Sequence, residues 1–482
     1  MDEARAMTGI AGLDEILAGG FPSGRIHLVE GTPGTGKTTL ALQFLRDGAA
    51  RGEHGLYVTL SESADELRSA ALNHGWDLDG IAIHELVGDS ALDPTAEQSV
   101  LRPSELELGE TVRAVMRQVE EGRPARVVFD SLSEMRLLAE SPARYRRQTL
   151  ALKRFLAAHG CTTLLLDDQT AETRDAQLHS LASGVVALEQ IAQEYGAERR
   201  RLRVVKLRGS TFRGGWHDYA IVRGGLRVFP RLVAADHHAG FRDAPMSTGL
   251  PALDTLLGGG LMPGTNLLVA GPSGAGKTTM AAYCLHALLR AGERGAMFLF
   301  DEGRATLLAR SGALGIDLAS FAEAGTLTLR QVDPAEISPG EFVAEVRCAV
   351  ERDGARVIVF DSLDGFLQAM PGEKFLLLQL HELLTYLNQR GCLTLLVLGL
   401  RGPAGEVAAV DVSYLADSVL LLRYFAAGGE VRRVARAVKT RMLRHEATVR
   451  ELRIGAPEGI SLSGPLDDPG AVMPDVPGLD VG

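Results

Sequence analysis

The chain has 482 residues, 46% hydrophobic and 23% charged, a globular balance that excludes wholesale disorder and a length too great for one ordinary core. Its 50 Lys and Arg against 61 Asp and Glu leave a formal net charge of −11, which argues against a protein whose whole surface embraces nucleic acid. Cys161, Cys284, Cys348 and Cys392 lie apart without C-x-x-C spacing, and neither a signal peptide nor an apolar run of about 18 residues is visible, so a soluble, cytoplasmic protein without zinc, disulfide or membrane partners is expected.

Along the chain, the first chemically informative stretch is "GTPGTGKTT", residues 31 to 39. The apolar run "GRIHLVE" before it fits a buried strand, and "TTLALQFLRDGAA" carries apolar residues at helical spacing. Strand, glycine-rich loop and helix is the order a phosphate-binding loop requires. Gly31, Thr32, Pro33, Gly34, Thr35, Gly36, Lys37, Thr38 and Thr39 then form a cradle at a helix N-terminus, with backbone N–H groups turned toward a polyphosphate. In that geometry Lys37 reaches the β- and γ-phosphates of ATP, and Thr38 offers its hydroxyl to Mg²⁺. Further on, "RVVFDSL" ends a strand in Asp130, where a parallel sheet presents a carboxylate to ligand, here to the Mg²⁺ water shell. The basic run "ERRRLRVVKLRG" closes the module, and a linker is predicted from Pro230 to Pro245, in which adjacent His237 and His238 lack the spacing of metal ligands.

The pattern then repeats. "TGIAGLDEILAGGFPSG" from Thr8 matches "TGLPALDTLLGGGLMPG" from Thr248, and the offset of about 240 aligns Lys37 with Lys277, Glu62 with Glu302 and Asp77 with Asp317. Self-similarity over a domain length means duplication. The second loop comprises Gly271, Pro272, Ser273, Gly274, Ala275, Gly276, Lys277, Thr278 and Thr279; "RVIVFDSL" supplies Asp361 and, with Thr278, the second Mg²⁺ site; "VRRVARAVKTRMLR" is the second late basic run. The expected organisation is one α/β domain over 1–235, a second over 236–462, and a flexible Pro-, Gly- and Asp-rich tail over 463–482. Alternating strands and helices predict, for each domain, a mostly parallel sheet flanked by helices.

Duplicated P-loops, paired "FDS" segments and late "KLR"-type strands resemble the KaiC family, the two-module RecA-like ATPases to which the cyanobacterial clock protein belongs, over nearly the whole chain. The resemblance implies a homohexamer of stacked double rings with ATP between neighbouring protomers. It also implies that a K-x-R pair on a late strand reaches across to the neighbour's γ-phosphate; by motif these are Lys206 and Arg208 in the first module and Lys439 and Arg441 in the second. Strand alternation puts positions i and i+2 on one face, so each pair can converge on one ligand.

Family members carry adjacent glutamates placed to activate water. Here "TLSES" gives Ser61 and Glu62, so Glu62 serves alone, with slower hydrolysis or chiefly nucleotide binding in the first ring; "LFDEG" gives Asp301 and Glu302, either of which can act as base. The clock protein's paired Ser and Thr phosphoacceptors correspond to Ser413 and Tyr414, leaving Ser413 as a candidate acceptor. The tail is shorter than the helical segment read by the clock protein's activating partner. The leading expectation is an oligomeric Mg²⁺-dependent ATPase with serine autokinase activity in the second ring and a signalling role; a nucleic-acid motor of the RecA or DnaB type, or a signalling scaffold assembled by ATP, are the alternatives.

Overall fold

The computed structural model describes residues 4–86, 103–139, 141–168, 176–193, 195–237, 240, 244–368, 376–400, 415–427, 429–441, 444–456 and 459–466. It divides into two compact units, Met1–Arg231 and Leu232–Gly482. Each is built on a nine-stranded sheet, with helices on both faces, as the alternating pattern predicts.

In the first unit the spatial order is Gly225–Phe229, His217–Val222, Arg199–Leu207, Gly184–Ile191, Ile26–Gly31, Thr162–Asp168, Arg126–Asp130, Gly55–Thr59 and Ile81–Glu85. The last six of these run parallel, whereas the first three are antiparallel additions. The second unit repeats the plan: Leu327–Gln331, Gly295–Leu299, Val357–Asp361, Leu393–Gly399, Asn266–Gly271 and Ser418–Ala427 are parallel, and Glu430–Thr440, Arg450–Gly455 and Gly459–Pro465 are antiparallel. The central strands are buried along their whole length because helices cover both faces, which is why they read as continuous apolar runs.

The stretches that open the two copies share a local staple. Thr8 donates from its backbone N–H and its hydroxyl to Asp14 at 2.7 and 2.8 Å, and Thr248 does the same to Asp254 at 2.8 and 2.7 Å. Where the copies diverge, the first unit buries a guanidinium. Arg126, 1% exposed, donates to the carbonyls of Met7 and Phe44 and to Asp47 and Glu53, in space that Gly48 leaves open.

Two boundaries differ from expectation. Leu232 and Ala234, read as linker, pack into the core of the second unit, with Ala234–Asp236 forming a turn of 3-10 helix and His237 lying edge-on to Tyr386 at 5.0 Å. The strand Gly459–Pro465 carries regular structure into the segment read as tail, because Ser463 accepts the N–H of Glu451 on its hydroxyl and a guanidinium N–H of Arg450 on its carbonyl. No helix among the described residues is long and apolar enough to cross a membrane.

His217 closes the first unit. Its Nδ1 accepts the N–H of Arg231 at 2.8 Å, so Nε2 carries the proton it donates to the Arg213 carbonyl at 3.0 Å, and the ring is a neutral tautomer. Burial pushes its pKa down to about 4, as it does for the core residue His27. The unfolded chain therefore binds more protons between pH 4 and 6.5, and stability is lost as pH falls through that window. Each ring is expected to remove about 2 kcal/mol by about pH 5. Trp76 and Trp216, the chain's two tryptophans, both report on the first unit. Urea unfolding followed by their fluorescence should show this acid loss, and His217→Gln should reduce the slope by about half.

Candidate functional site

Parallel strands bring their carboxyl ends to one edge of each sheet. In the first unit Gly31 is level with Asp168 and Thr59 with Asp130; in the second, Gly271 is level with Gly399 and Leu299 with Asp361. That edge gathers the P-loop, Glu62 and Asp130 in one unit, and Lys277, Asp301, Glu302 and Asp361 in the other. In the second unit these side chains line an open cleft of about 360 Å³.

The loops have the shape a polyphosphate needs. Gly34 and Gly36 have φ of 85° and 87°, and Gly274 and Gly276 of 75° and 97°, a left-handed backbone that glycine adopts without penalty. A Cβ on Gly36 would meet Ile221 at 2.7 Å. The helices Lys37–Ala50 and Lys277–Arg290 start directly after these glycines, and neither N-cap side chain satisfies the first-turn amides. Such amides, with the helix dipole behind them, suit an anion. Each loop is braced from the antiparallel half of its sheet or the adjoining strand: Tyr219 donates to the Thr35 carbonyl at 2.6 Å, and Tyr424 to the Ser273 carbonyl at 3.0 Å.

Lys37 is 7% exposed and folded back on its own loop, donating to the carbonyls of Gly31 at 2.8 Å and Thr32 at 3.1 Å and pairing with Asp168 at 2.7 Å. Thr38 lies 3.5 Å from Asp130, which also accepts the Tyr57 hydroxyl at 2.5 Å. Burial pushes the Asp130 carboxyl up, and the hydrogen bond from Tyr57 opposes it. Glu62 is fixed through its backbone, with its N–H donating to the Thr59 hydroxyl at 3.0 Å and its carbonyl accepting from that hydroxyl at 2.8 Å. A capping box between Ser63 and Glu66 starts the next helix immediately behind it. Burial, then Asp130, Glu66 and Asp168, push the Glu62 carboxyl up.

The second unit keeps the frame and changes its neighbours. Lys277 donates to the Pro272 carbonyl at 2.9 Å; burial pushes its pKa down, and Asp364 and Asp361 oppose this. Thr278 donates to Asp361 at 3.1 Å. Met297 stands where Tyr57 does, and burial pushes Asp361 up to about 6, with Glu302 and Asp301 adding to the rise. Both oxygens of Glu302 are held by the fork of Arg310, at 3.2 and 2.7 Å, and Arg310 also donates to Thr279 at 2.9 Å. Asp301 accepts the Ser362 hydroxyl at 2.6 Å. In each unit a threonine hydroxyl beside a strand-end carboxylate offers hard oxygen donors, which fits Mg²⁺ completed by phosphate and water oxygens.

The basic pairs lie elsewhere. Lys206 is the penultimate residue of its strand and Arg208 follows the strand's end; Lys439 and Arg441 stand in the same relation to Thr440. Each pair rests on consecutive residues of its own unit. Lys206 donates to the His179 carbonyl and Arg208 to that of Ser180, while Lys439 donates to the Ala416 carbonyl and Arg441 pairs with Asp417 at 3.2 Å. Ser413 lies outside the described residues.

Sequence reading missed Asp168, Tyr57, Arg310, Ser362 and Asp364. Asp168 carried a readable signal, since "TTLLLDD" is a strand ending in Asp just as "RVVFD" is. Ser362 lies within the quoted "FDS" segment, but nothing local shows that it meets Asp301, and Tyr57, Arg310 and Asp364 act from positions outside the quoted motifs.

The family model for the KaiC ATPase matches residues 6–233 and 246–466. Among curated relatives, the circadian clock oscillator protein KaiC of Picosynechococcus is 29% identical over 456 residues, covering 92% of this chain and 87% of that protein. KaiC 1 of Synechocystis is 28% identical, covering 93% and 87%, and KaiC of Prochlorococcus marinus 26%, covering 94% and 91%.

Asp168 competes with phosphate for Lys37 and adds negative charge beside it, whereas the second unit has Gly399 at that register. With the second site silenced by Lys277→Ala, Asp168→Asn should tighten ATP binding to the first unit about tenfold without divalent ion. Titration with a fluorescent ATP analogue measures it; unchanged or weaker binding would contradict the competition.

Proposed function

Because the chain belongs to the KaiC ATPase family, we propose that it is a Mg²⁺-dependent ATPase assembled as a homohexamer, with ATP held between neighbouring protomers in each of two rings. The observation that carries this reading is the level at which the cations sit. Leu207, between Lys206 and Arg208, is in register with Gly184, which is in register with His27, four residues before Gly31. Thr440, between Lys439 and Arg441, is level with Ser418 and Leu267, again four residues before Gly271. Each pair thus lies about 13 Å of strand below its own P-loop, at the opposite edge of the sheet. A phosphate on Lys37 is served by cations from a second copy, and a heterologous contact that closes gives a ring.

In the first ring Glu62 orients the attacking water, and burial, which pushes its carboxyl up, makes it a stronger proton acceptor than a free carboxylate. Loop amides and Lys37 hold the phosphates, and Lys206 and Arg208 of the neighbour meet the charge that develops on the transferred group. In the second ring Asp301 or Glu302 is the orienting base, with Lys439 and Arg441 arriving from the neighbour. Thr38 with Asp130, and Thr278 with Asp361, would hold Mg²⁺, which neutralises phosphate charge when bound. With Ser61 in place of a second carboxylate and Lys37 engaged by Asp168, the first ring also serves as an assembly joint that ATP stabilises by mass action. Serine autokinase activity on Ser413, a cytoplasmic location, a signalling or regulatory role, and partners other than nucleic acid complete the reading.

Shared sites make a specific mixing outcome. Lys277→Ala and Arg441→Ala rings should each lose second-ring turnover, and an equimolar mixture should regain it at about a quarter of its interfaces, where an intact loop faces an intact Arg441. Turnover above the level of Lys277→Ala rings measures this, and no recovery in mixed hexamers would refute sharing. For the autokinase, incubation with ATP and Mg²⁺ followed by peptide mass spectrometry should place phosphate on Ser413 and not on Tyr414, whose hydroxyl stands several ångströms farther from the backbone than in-line transfer tolerates. ATP hydrolysis with no phosphate on the protein would remove the kinase from this reading.

A further inference from the structure

We propose that, in the first unit, the Glu30–His179 pair is a positioning relay that ties a protomer's own phosphate loop to the placement of Lys206 and Arg208, and so couples each nucleotide site to the next around the ring. The inference rests on the shared-site reading above.

Glu30 immediately precedes Gly31, and its side chain is only 8% exposed. In register beside it on the next strand is Asp167, held by Arg136 at 3.1 and 3.4 Å and by Ser133 at 3.2 Å. A buried carboxylate next to another needs a partner, and Glu30 has His179, with Nε2 at 2.8 Å from Oε2. His179 belongs to the short helix Ala176–Leu181, whose Leu178 is buried in the core. The last carbonyls of that helix receive cations in sequence: His179 from Lys206, Ser180 from Arg208 at 3.0 Å, and Leu181 from Lys153. Carbonyls at the end of a helix carry the negative end of its dipole, which favours the cations placed on them.

One residue therefore touches both ends of the device. The His179 ring grips the strand just before the P-loop, and its carbonyl grips Lys206. On the loop side, Lys37 donates to the Gly31 carbonyl and must leave it to meet a phosphate. On the far side, Lys206 and Arg208 must leave His179 and Ser180 to reach a neighbour. Tilting the helix from Glu30 changes how readily they leave. The second unit has Ala270 at the register position of Glu30, so this link belongs to the first ring.

The test uses the full chain with Lys277→Ala in every protomer, so that turnover comes from the first ring. His179→Ala should lower kcat about tenfold or more while KM for ATP moves by less than about twofold, since the cations and not the loop are misplaced. Mixing His179→Ala with Glu62→Gln protomers should restore about a quarter of the interfaces, because the Glu62→Gln copies bring correctly placed Lys206 and Arg208 to intact loops. Arg208→Ala mixed with Glu62→Gln is the control. Recovery of the control without recovery of His179→Ala would show that His179 acts only on its own loop and would overturn the relay; failure of both would overturn shared sites and the relay with them. His179→Gln, which keeps a donor for Glu30, should retain turnover. The double variant Glu30→Met with His179→Leu removes both buried polar partners together, so it keeps the fold. Its turnover should stay low and recover on mixing, and wild-type turnover in that variant would reduce the pair to mutual charge compensation.

Discussion

A reversal of chain direction governs the chemistry available to this molecule. Parallel strands deliver the P-loop, Glu62 and Asp130 to one edge of the first sheet, and the turn after Ile191 sends the next strand back toward the other edge. Lys206 and Arg208 therefore emerge where their own loop cannot use them. The same reversal after Ala427 does this to Lys439 and Arg441. A single copy carries its phosphate loop at one edge of the sheet and its Lys-x-Arg pair at the opposite edge, the separation from which the proposal of shared sites starts.

On this common frame the two units differ in how their charges are balanced. The P-loop lysine pairs with Asp168 at the end of a strand in the first unit; in the second that register is Gly399, and the charges of Asp364, in the helix after Asp361, and of Asp361 itself oppose the drop in the Lys277 pKa. Asp130 shares a proton donor in Tyr57, which Asp361 lacks beside Met297. Glu302 is pinned by Arg310, where the repeat places Ala70 in the first unit. These exchanges leave Glu62 aimed through its backbone and Glu302 through an ion pair, so the two units differ in what a change of charge will do to each.

Local motifs made much of this legible in the sequence. The loops, Asp130 and Asp361 lie within short stretches whose strand, glycine and helix order is dictated by backbone conformation, and the duplication fixed their register. Alternating patterns likewise foretold two mostly parallel sheets. Features that depend on tertiary contact were not readable: Arg310 reaches back eight residues to Glu302, which lies before the start of the helix Arg304–Ala313, and Ser362 meets Asp301 from a separate strand end. Leu232 and Ala234 sit in a polar, histidine-containing run, and only packing shows that they belong to a core. The strand to Pro465 was hidden by the Gly and Pro that surround it, although Arg450 holds it in place.

In the proposed assembly, phosphate and cation meet across copies. A structure of the protein assembled with a non-hydrolysable ATP analogue and Mg²⁺ tests it directly. Lys206 and Arg208 of one protomer should lie about 3 Å from γ-phosphate oxygens held by Lys37 of the next, having left the His179 and Ser180 carbonyls. An assembled ring in which those side chains remain on their own helix, with no protein cation from a neighbour at the γ-phosphate, would contradict it.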